Sequence, residues 1–186
     1  MLYLVRHGTT EQGAFRVPGD LTPATYDEWL LDFGLTEHGR RSECAALRSR
    51  FTQAHRPDRV LASPRRRTVE TAELALPDRP VVTDDRLHEW HAAESMPDLL
   101  ARARWLLRGG EDEVLAVFTH GGFIRAVIAA LVVGGDDARF AATFHDLRRM
   151  LQIWNASVTL IGQGASGLEL LGVNLCDPID AIAGRP

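Results

Sequence analysis

Strand-like and helix-like runs alternate along the 186-residue chain, and that alternation leaves few folds open. It points to a single α/β domain, a three-layer α/β/α arrangement around a mainly parallel central sheet. Strands are read at Leu2 to Arg6, Arg59 to Ala62, Val81 to Thr83 and Val114 to Thr119. Two late strands are expected at Ser157 to Ile161 and Leu168 to Val173, around a glycine-rich turn from Gly162 to Gly167. Thr36 is expected to cap a helix that carries Cys44, Leu47 and Phe51 on one face. Ser63-Pro64 has the form of a helix start, a cap hydroxyl followed by proline, with the helix running to about Leu76. Further helices are expected from Ser95-Met96-Pro97 to Arg108 and from Phe123 to Val133, with a short one after the acidic break Gly134 to Asp137. A long irregular stretch between Gly8 and Gly34 and a loosely held tail from Asp177 complete the reading.

Composition removes several mechanisms. All 21 basic residues are arginine, so Schiff-base, P-loop and kinase-type lysine chemistry is excluded. Every fixed positive charge is instead a planar fork suited to phosphates and carboxylates. The formal charge of -4, with acids spread among the arginines, argues against a nucleic-acid partner. Two distant cysteines, Cys44 and Cys176, imply neither a disulfide framework nor a thiolate cluster. The chain opens directly on the run Leu2 to Val5, and its longest apolar stretch, Phe123 to Val133, is too short to span a bilayer and contains Arg125. A cytoplasmic protein with no membrane partner is expected.

The chemistry collects at strand ends. Arg6-His7-Gly8 and Thr119-His120-Gly121-Gly122 each place a histidine just past an apolar strand, and ligands of parallel sheets bind outside those carboxyl ends. Ser63-Pro64 also follows a strand, so the first-turn arginines of its helix face the same edge. Two histidines and at least two arginines then converge on a site that attracts a phosphate dianion. A carboxylate to protonate a leaving oxygen is available from Asp84, Asp85 or Glu89. Trp90 is expected to desolvate Glu89 and keep it protonated near neutral pH.

These residues resemble the signatures of the histidine phosphatase superfamily, the phosphoglycerate-mutase-like enzymes. Leu4-Val5-Arg6-His7-Gly8-Thr9-Thr10-Glu11 resembles the family's opening motif. Ser63-Pro64-Arg65-Arg66-Arg67 resembles its helix-opening motif, with Arg67 at the arginine position. Arg86-Leu87-His88-Glu89 resembles the acid-bearing segment, and Val117 to Arg125 the second-histidine motif. Gly34 to Arg40 and Asn155-Ala156-Ser157-Val158 match non-catalytic stretches, so the resemblance covers almost the whole chain.

The resemblance implies a phosphohydrolase in which His7 attacks phosphorus and becomes a phosphohistidine. Arg6, Arg67 and an imidazolium at His120 hold the phosphoryl oxygens, and Glu89 is the general acid and base. The Gly121 backbone N–H and the Thr10 hydroxyl are expected to add donors. No cofactor is implied, and the substrate is a phosphorylated small molecule or a phosphohistidine protein. Where the family often has asparagine, this chain has Gly13. The loop Gly13 to Phe33 is longer than usual and carries Arg16, Tyr26 and Trp29, so it is expected to act as a lid, with Arg16 touching substrate. Only about thirty residues separate Glu89 from His120, so the cap of true mutases is much reduced. Hydrolysis is favoured over phosphoryl return. The alternatives are a protein phosphohistidine phosphatase, a mutase-type phosphotransferase and a weakly active phospho-ligand binder.

Other readings of the same residues are blander. Arg65 and Arg66 are assigned to a solvated face, because successive helical residues diverge by about 100° and cannot all reach one phosphate. His88-Glu89-Trp90-His91 has a superficial likeness to a zinc motif, but its histidines are three apart and no third ligand is implied, so no metal is expected. Phe123, Ile124, Val127 and Leu131 are assigned to core packing.

Overall fold

The structure is a computed structural model that describes residues 1–11, 33–51, 56–109, 113–165 and 167–175. Its strands are β1 (Leu2–Arg6), β2 (Arg59–Ala62), β3 (Val81–Thr83), β4 (Leu115–Thr119), β5 (Val158–Gly164) and β6 (Gly167–Leu175). Its helices are α1 (Cys44–Arg50), α2 (Arg66–Ala75), α3 (Met96–Gly109), α4 (Gly121–Val133) and α5 (Asp137–Met150). One sheet takes the order β3-β2-β4-β1-β5-β6. The first four strands in that order run parallel, while β5 is antiparallel to β1 and to β6.

The short strands are apolar on both faces, so each demands cover above and below. Alternate residues supply it. Leu2, Leu4, Leu61, Leu115 and Val117 pack toward α3, α4 and α5. Tyr3, Val5, Val60, Ala116 and Phe118 pack toward the layer of α1 and α2, where Phe51 meets the Tyr3 ring edge-on at 5.7 Å. The three-layer expectation therefore holds, and no helix among the described residues is long and apolar enough to cross a membrane.

Local differences have local causes. Ser63 is not the cap of α2: Arg65 holds the extended cap position and the helix begins at Arg66. The Ser63 hydroxyl is engaged with His120 instead, and Thr68 Oγ1 donates to the Ser63 carbonyl at 2.7 Å. The glycine-rich stretch of the late hairpin is ladder rather than turn, since Gly162 pairs with Glu169 and Gly164 with Gly167. The exposed Glu169 side chain folds over Gly164, where a Cβ would lie 2.0 Å from its carboxyl carbon and would turn it aside. The helix after the acidic break is long, not short, and takes in Asp137 at its first turn. The expected lid loop up to residue 32 and the tail from Asp177 lie outside the described residues, as does Cys176.

Thr36 does cap its helix, accepting the Gly39 N–H on Oγ1 at 3.0 Å. The first turn, Gly39–Glu43, is a π-turn that leads into α1. It packs hard against the loop after β1, because a Cβ on Gly39 would stand 2.6 Å from the Thr9 carbonyl. Gly39→Ala is therefore expected to lower stability by about 1–3 kcal/mol despite alanine's better helix propensity. Urea denaturation measures this, and a stabilised variant would show that the contact yields freely.

Candidate active site

Strand register brings the site together. Arg6 lies opposite Thr119, and Ala62 opposite Phe118, so β1, β2 and β4 end side by side. Backbone bonds continue the ladder one step, from His7 N–H to the Thr119 carbonyl at 3.0 Å and from Ser63 N–H to the Phe118 carbonyl at 2.9 Å. His7 and His120 emerge as neighbours, their ring centroids 5.2 Å apart. Arg67, on the first turn of α2, reaches the same place.

Hydrogen bonding fixes both imidazole tautomers. His7 Nδ1 faces the Gly8 carbonyl at 2.8 Å, and a carbonyl only accepts, so Nδ1 carries the proton. The lone pair is thereby on Nε2. For His120 the logic reverses: Nδ1 lies 3.3 Å from Arg67 Nη2, and a guanidinium only donates, so Nδ1 accepts. His120 Nε2 then donates to Ser63 Oγ at 2.9 Å.

Charge follows from this packing. Burial, then the Arg67 guanidinium and then Arg6 push the His7 imidazole down to about 3, against the opposing Gly8 hydrogen bond. Burial and the neighbouring His7 and Arg67 hold His120 well below the usual imidazole range. Without a bound anion, burial and these neighbours therefore disfavour an imidazolium at His120. Burial also lowers Arg67, to about 10, which leaves it ionised at neutral pH.

Arg6 is half-buried, and its Nη1 donates to the Ile153 carbonyl. Its Nε–H is buried without a hydrogen-bond partner among the described residues. That Nε lies 3.5 Å from where a Cβ on Gly121 would be, so the missing side chain leaves the fork open toward the start of α4.

Glu89 approaches the same helix end. Its carboxylate accepts N–H bonds from Trp90 at 2.9 Å, Phe123 at 3.1 Å and Gly122 at 3.2 Å. Gly122 makes this possible, since a Cβ there would fall 2.2 Å from Glu89 Oε1. The Trp90 ring meets Phe144 at 5.4 Å, and Arg148 lies over it at 4.2 Å. Asp84 caps the turn Asp85–Leu87 and pairs with Arg86, which takes it out of contention for the acid.

Other expectations fare unevenly. Gly121, offered as an N–H donor, opens α4 two residues before the expected start at Phe123 and lies beside Arg6. Thr10 forms a backbone bridge with Leu35. Arg16 and Gly13 lie outside the described residues.

The sequence reading missed the residues that hold this set in place. Thr71 accepts the Gly8 N–H at 3.1 Å and donates to the Arg67 carbonyl at 2.6 Å, tying the loop after β1 to α2. Glu43 accepts from the Thr9 N–H at 2.6 Å and from its hydroxyl at 2.8 Å. Asn155 Nδ2 donates to Thr9 Oγ1 at 3.0 Å. Only a polar residue on the inner face of α2 hinted at the first of these. Chemically, the arrangement offers a neutral nucleophile, two guanidinium forks and a carboxylate at a helix N-terminus.

Comparisons with known proteins bear on the family and the fold. The family model described as histidine phosphatase superfamily (branch 1) matches residues 2–97. No curated protein matches the chain in sequence. In fold it is similar to a phosphoserine phosphatase mutant from Entamoeba histolytica solved with phosphoserine, with a TM-score of 0.69, 16% identity, and 96% of this chain and 98% of that one covered. It is similar as well to a mycobacterial glucosyl-3-phosphoglycerate phosphatase, with a TM-score of 0.67, 24% identity, and coverage of 93% and 98%. An alpha-ribazole phosphatase from Shigella flexneri gives a TM-score of 0.65 at 18% identity, covering 94% and 96%.

The buried imidazoles imply a pH signature. A histidine whose folded pKa lies below its unfolded value of about 6.5 binds fewer protons when folded. Its contribution is complete above that unfolded value and is lost as pH falls toward the folded one. With His7 near 3, stability is expected to decline between pH of about 6.5 and 3, by about 1.4 kcal/mol per pH unit for each such imidazole. In NMR titrations, the His7 and His120 rings should show no protonation step between pH of about 5 and 8. Ordinary titration of both near 6.5 would contradict the tautomers assigned above.

Proposed function

The chain belongs to the histidine phosphatase superfamily, and from that premise we propose that it hydrolyses a phosphomonoester through a phosphohistidine on His7. The observation that carries the reading is the His7 tautomer. A proton fixed on Nδ1 by the Gly8 carbonyl leaves a neutral Nε2 lone pair among cations, which suits in-line attack on phosphorus.

In the first step Nε2 forms a bond to phosphorus as the bond from phosphorus to the ester oxygen breaks. The leaving oxygen takes a proton from the Glu89 carboxyl. In the second step Glu89 removes a proton from water, the oxygen attacks phosphorus, and the bond from phosphorus to Nε2 breaks to release phosphate. Arg6 and Arg67 spread the charge of the transferring group over bidentate donors, with the buried Arg6 Nε–H among them. His120 is bound between Arg67 and Ser63 in the free protein, so its first task is to aim the Arg67 fork. Thr10, Arg16 and the Gly121 N–H remain candidate substrate contacts.

Hydrolysis rather than phosphoryl return is supported by the segment between Glu89 and His120. Its helix α3 buries Leu99, Ala103 and Leu106 in the core. A mutase must keep water away from its intermediate, and a segment this short, with its helix packed into the core, suits hydrolysis better. A single domain spanning residues 1–186, with a phosphorylated small molecule as substrate, fits this reading. Among the described residues, cavities beside Phe51 and beside Phe140 lie away from these side chains.

A screen of phosphorylated metabolites with free-phosphate detection tests the activity. Under it, the wild-type chain should acquire an acid-labile, base-stable phosphoryl label that His7→Ala lacks; label and normal turnover in His7→Ala would end the proposal. Arg6→Lys and Arg67→Lys should each cost about 10- to 100-fold in kcat/KM, because one charged hydrogen bond of about 1.5–3 kcal/mol is lost with the fork. Gly122→Ala should lower kcat by about 100-fold with stability little changed, because it displaces Glu89 by an ångström or more. Unchanged turnover in that variant would remove Glu89 from the chemistry.

A further inference from the structure

The segment joining β3 to α3 contains side chains that the proposed hydrolysis does not use. His88, His91 and Glu94 each offer one ligand atom, and those atoms all lie within 4.8 Å of one another. The sequence supplied the two histidines but no third ligand. The turn beyond them brings one in, with the Glu94 N–H donating to the His91 carbonyl at 2.9 Å.

We propose that His88, His91 and Glu94 form a binding site for a divalent transition-metal ion of the zinc class. Two imidazoles and one carboxylate suit zinc, cobalt(II) or nickel(II), whereas magnesium and calcium prefer oxygen alone. The supporting contacts are those that metal ligands need. His88 Nδ1 donates to the Glu89 carbonyl at 2.7 Å, which fixes the tautomer and leaves the Nε2 lone pair for a metal. Glu94 is oriented by Arg102, whose Nη2 donates to Oε2 at 2.6 Å, and both side chains are buried. Arg102 Nη1 also donates to the His88 carbonyl at 2.8 Å and the Arg86 carbonyl at 2.9 Å. One guanidinium thus sets the carboxylate of one ligand and the backbone of another. The Arg102 fork takes one lone pair from each Glu94 oxygen and leaves the others for a metal.

His91 is the adjustable member. It is exposed and stacks on His88 with centroids 5.6 Å apart. Tetrahedral zinc with bonds of about 2.0–2.1 Å needs ligand atoms about 3.4 Å apart, a closure that rotation of one exposed side chain can supply. Three protein ligands leave a fourth position for water or another exchangeable group. The site adjoins the candidate active site, because His88 directly precedes Glu89, whose carboxylate lies against the start of α4. It stands independently of the phosphohistidine reading.

The test uses the untagged full chain, stripped with a chelator and titrated with Zn²⁺ against a chromophoric indicator. One equivalent is expected to bind, with affinity about ten-fold or more weaker in His91→Ala and unchanged in His145→Ala, whose histidine is exposed on α5. Co²⁺ should give the visible absorption of a four-coordinate nitrogen and oxygen site in the parent chain and lose it in His91→Ala. His91 is exposed, so far-UV circular dichroism of that variant should match the parent and keep the comparison sound. Equal zinc affinity in parent and His91→Ala, or no stoichiometric uptake, would overturn the proposal.

Discussion

Arg6 and Arg67 are brought out of water beside two imidazoles, and much else follows from that excess of positive charge. Burial is the first cause that holds both rings neutral, with Arg67 adding to it at each ring and Arg6 at His7. Neutral rings take direction from their neighbours: Gly8 fixes the proton of His7 on Nδ1, and Arg67 claims the Nδ1 lone pair of His120. The cost of burying the guanidinium groups is offset partly by carbonyls such as that of Ile153 and partly by the nearby Glu89. What is not offset is a standing attraction for a dianion, which is what a phosphoryl group supplies.

The same crowding explains where side chains are missing. Gly122 lets the Glu89 carboxylate lie against the amides at the start of α4, and Gly39 lets the Thr9 carbonyl approach the turn before α1. Neither glycine occupies left-handed backbone; each serves close approach. Thr71, Glu43 and Asn155 then tie the loop after β1 to three other parts of the fold. The nucleophile stands at the start of a loop fastened from several sides, so its orientation depends on residues that do no chemistry themselves.

Much of this was legible. The apolar strands, their order of appearance and the polar residues at their carboxyl ends locate the site, because a parallel sheet covered on both faces can expose chemistry only at its edges. The tautomers were not legible, since they depend on which group meets each ring nitrogen, and Arg67 is fifty-three residues from His120. Ser63 shows the same limit. Followed by proline it looks like a helix cap, yet the helix starts at Arg66 and its hydroxyl serves His120. The amides that hold the Glu89 carboxylate, from Gly122 and Phe123, were not legible either, since they lie more than thirty residues along the chain.

The sequence by itself determined the α/β layering, the placement of His7, Arg67, Glu89 and His120 near one sheet edge, and the reliance on arginine for every fixed positive charge. Those properties come from apolar periodicity and residue chemistry, which are local. Only the tertiary structure decided which imidazole nitrogen carries a proton, that Gly122 must lack a side chain, and that Glu94 joins His88 and His91. Each of those depends on contacts between segments whose spacing along the chain carries no record of their distance in space.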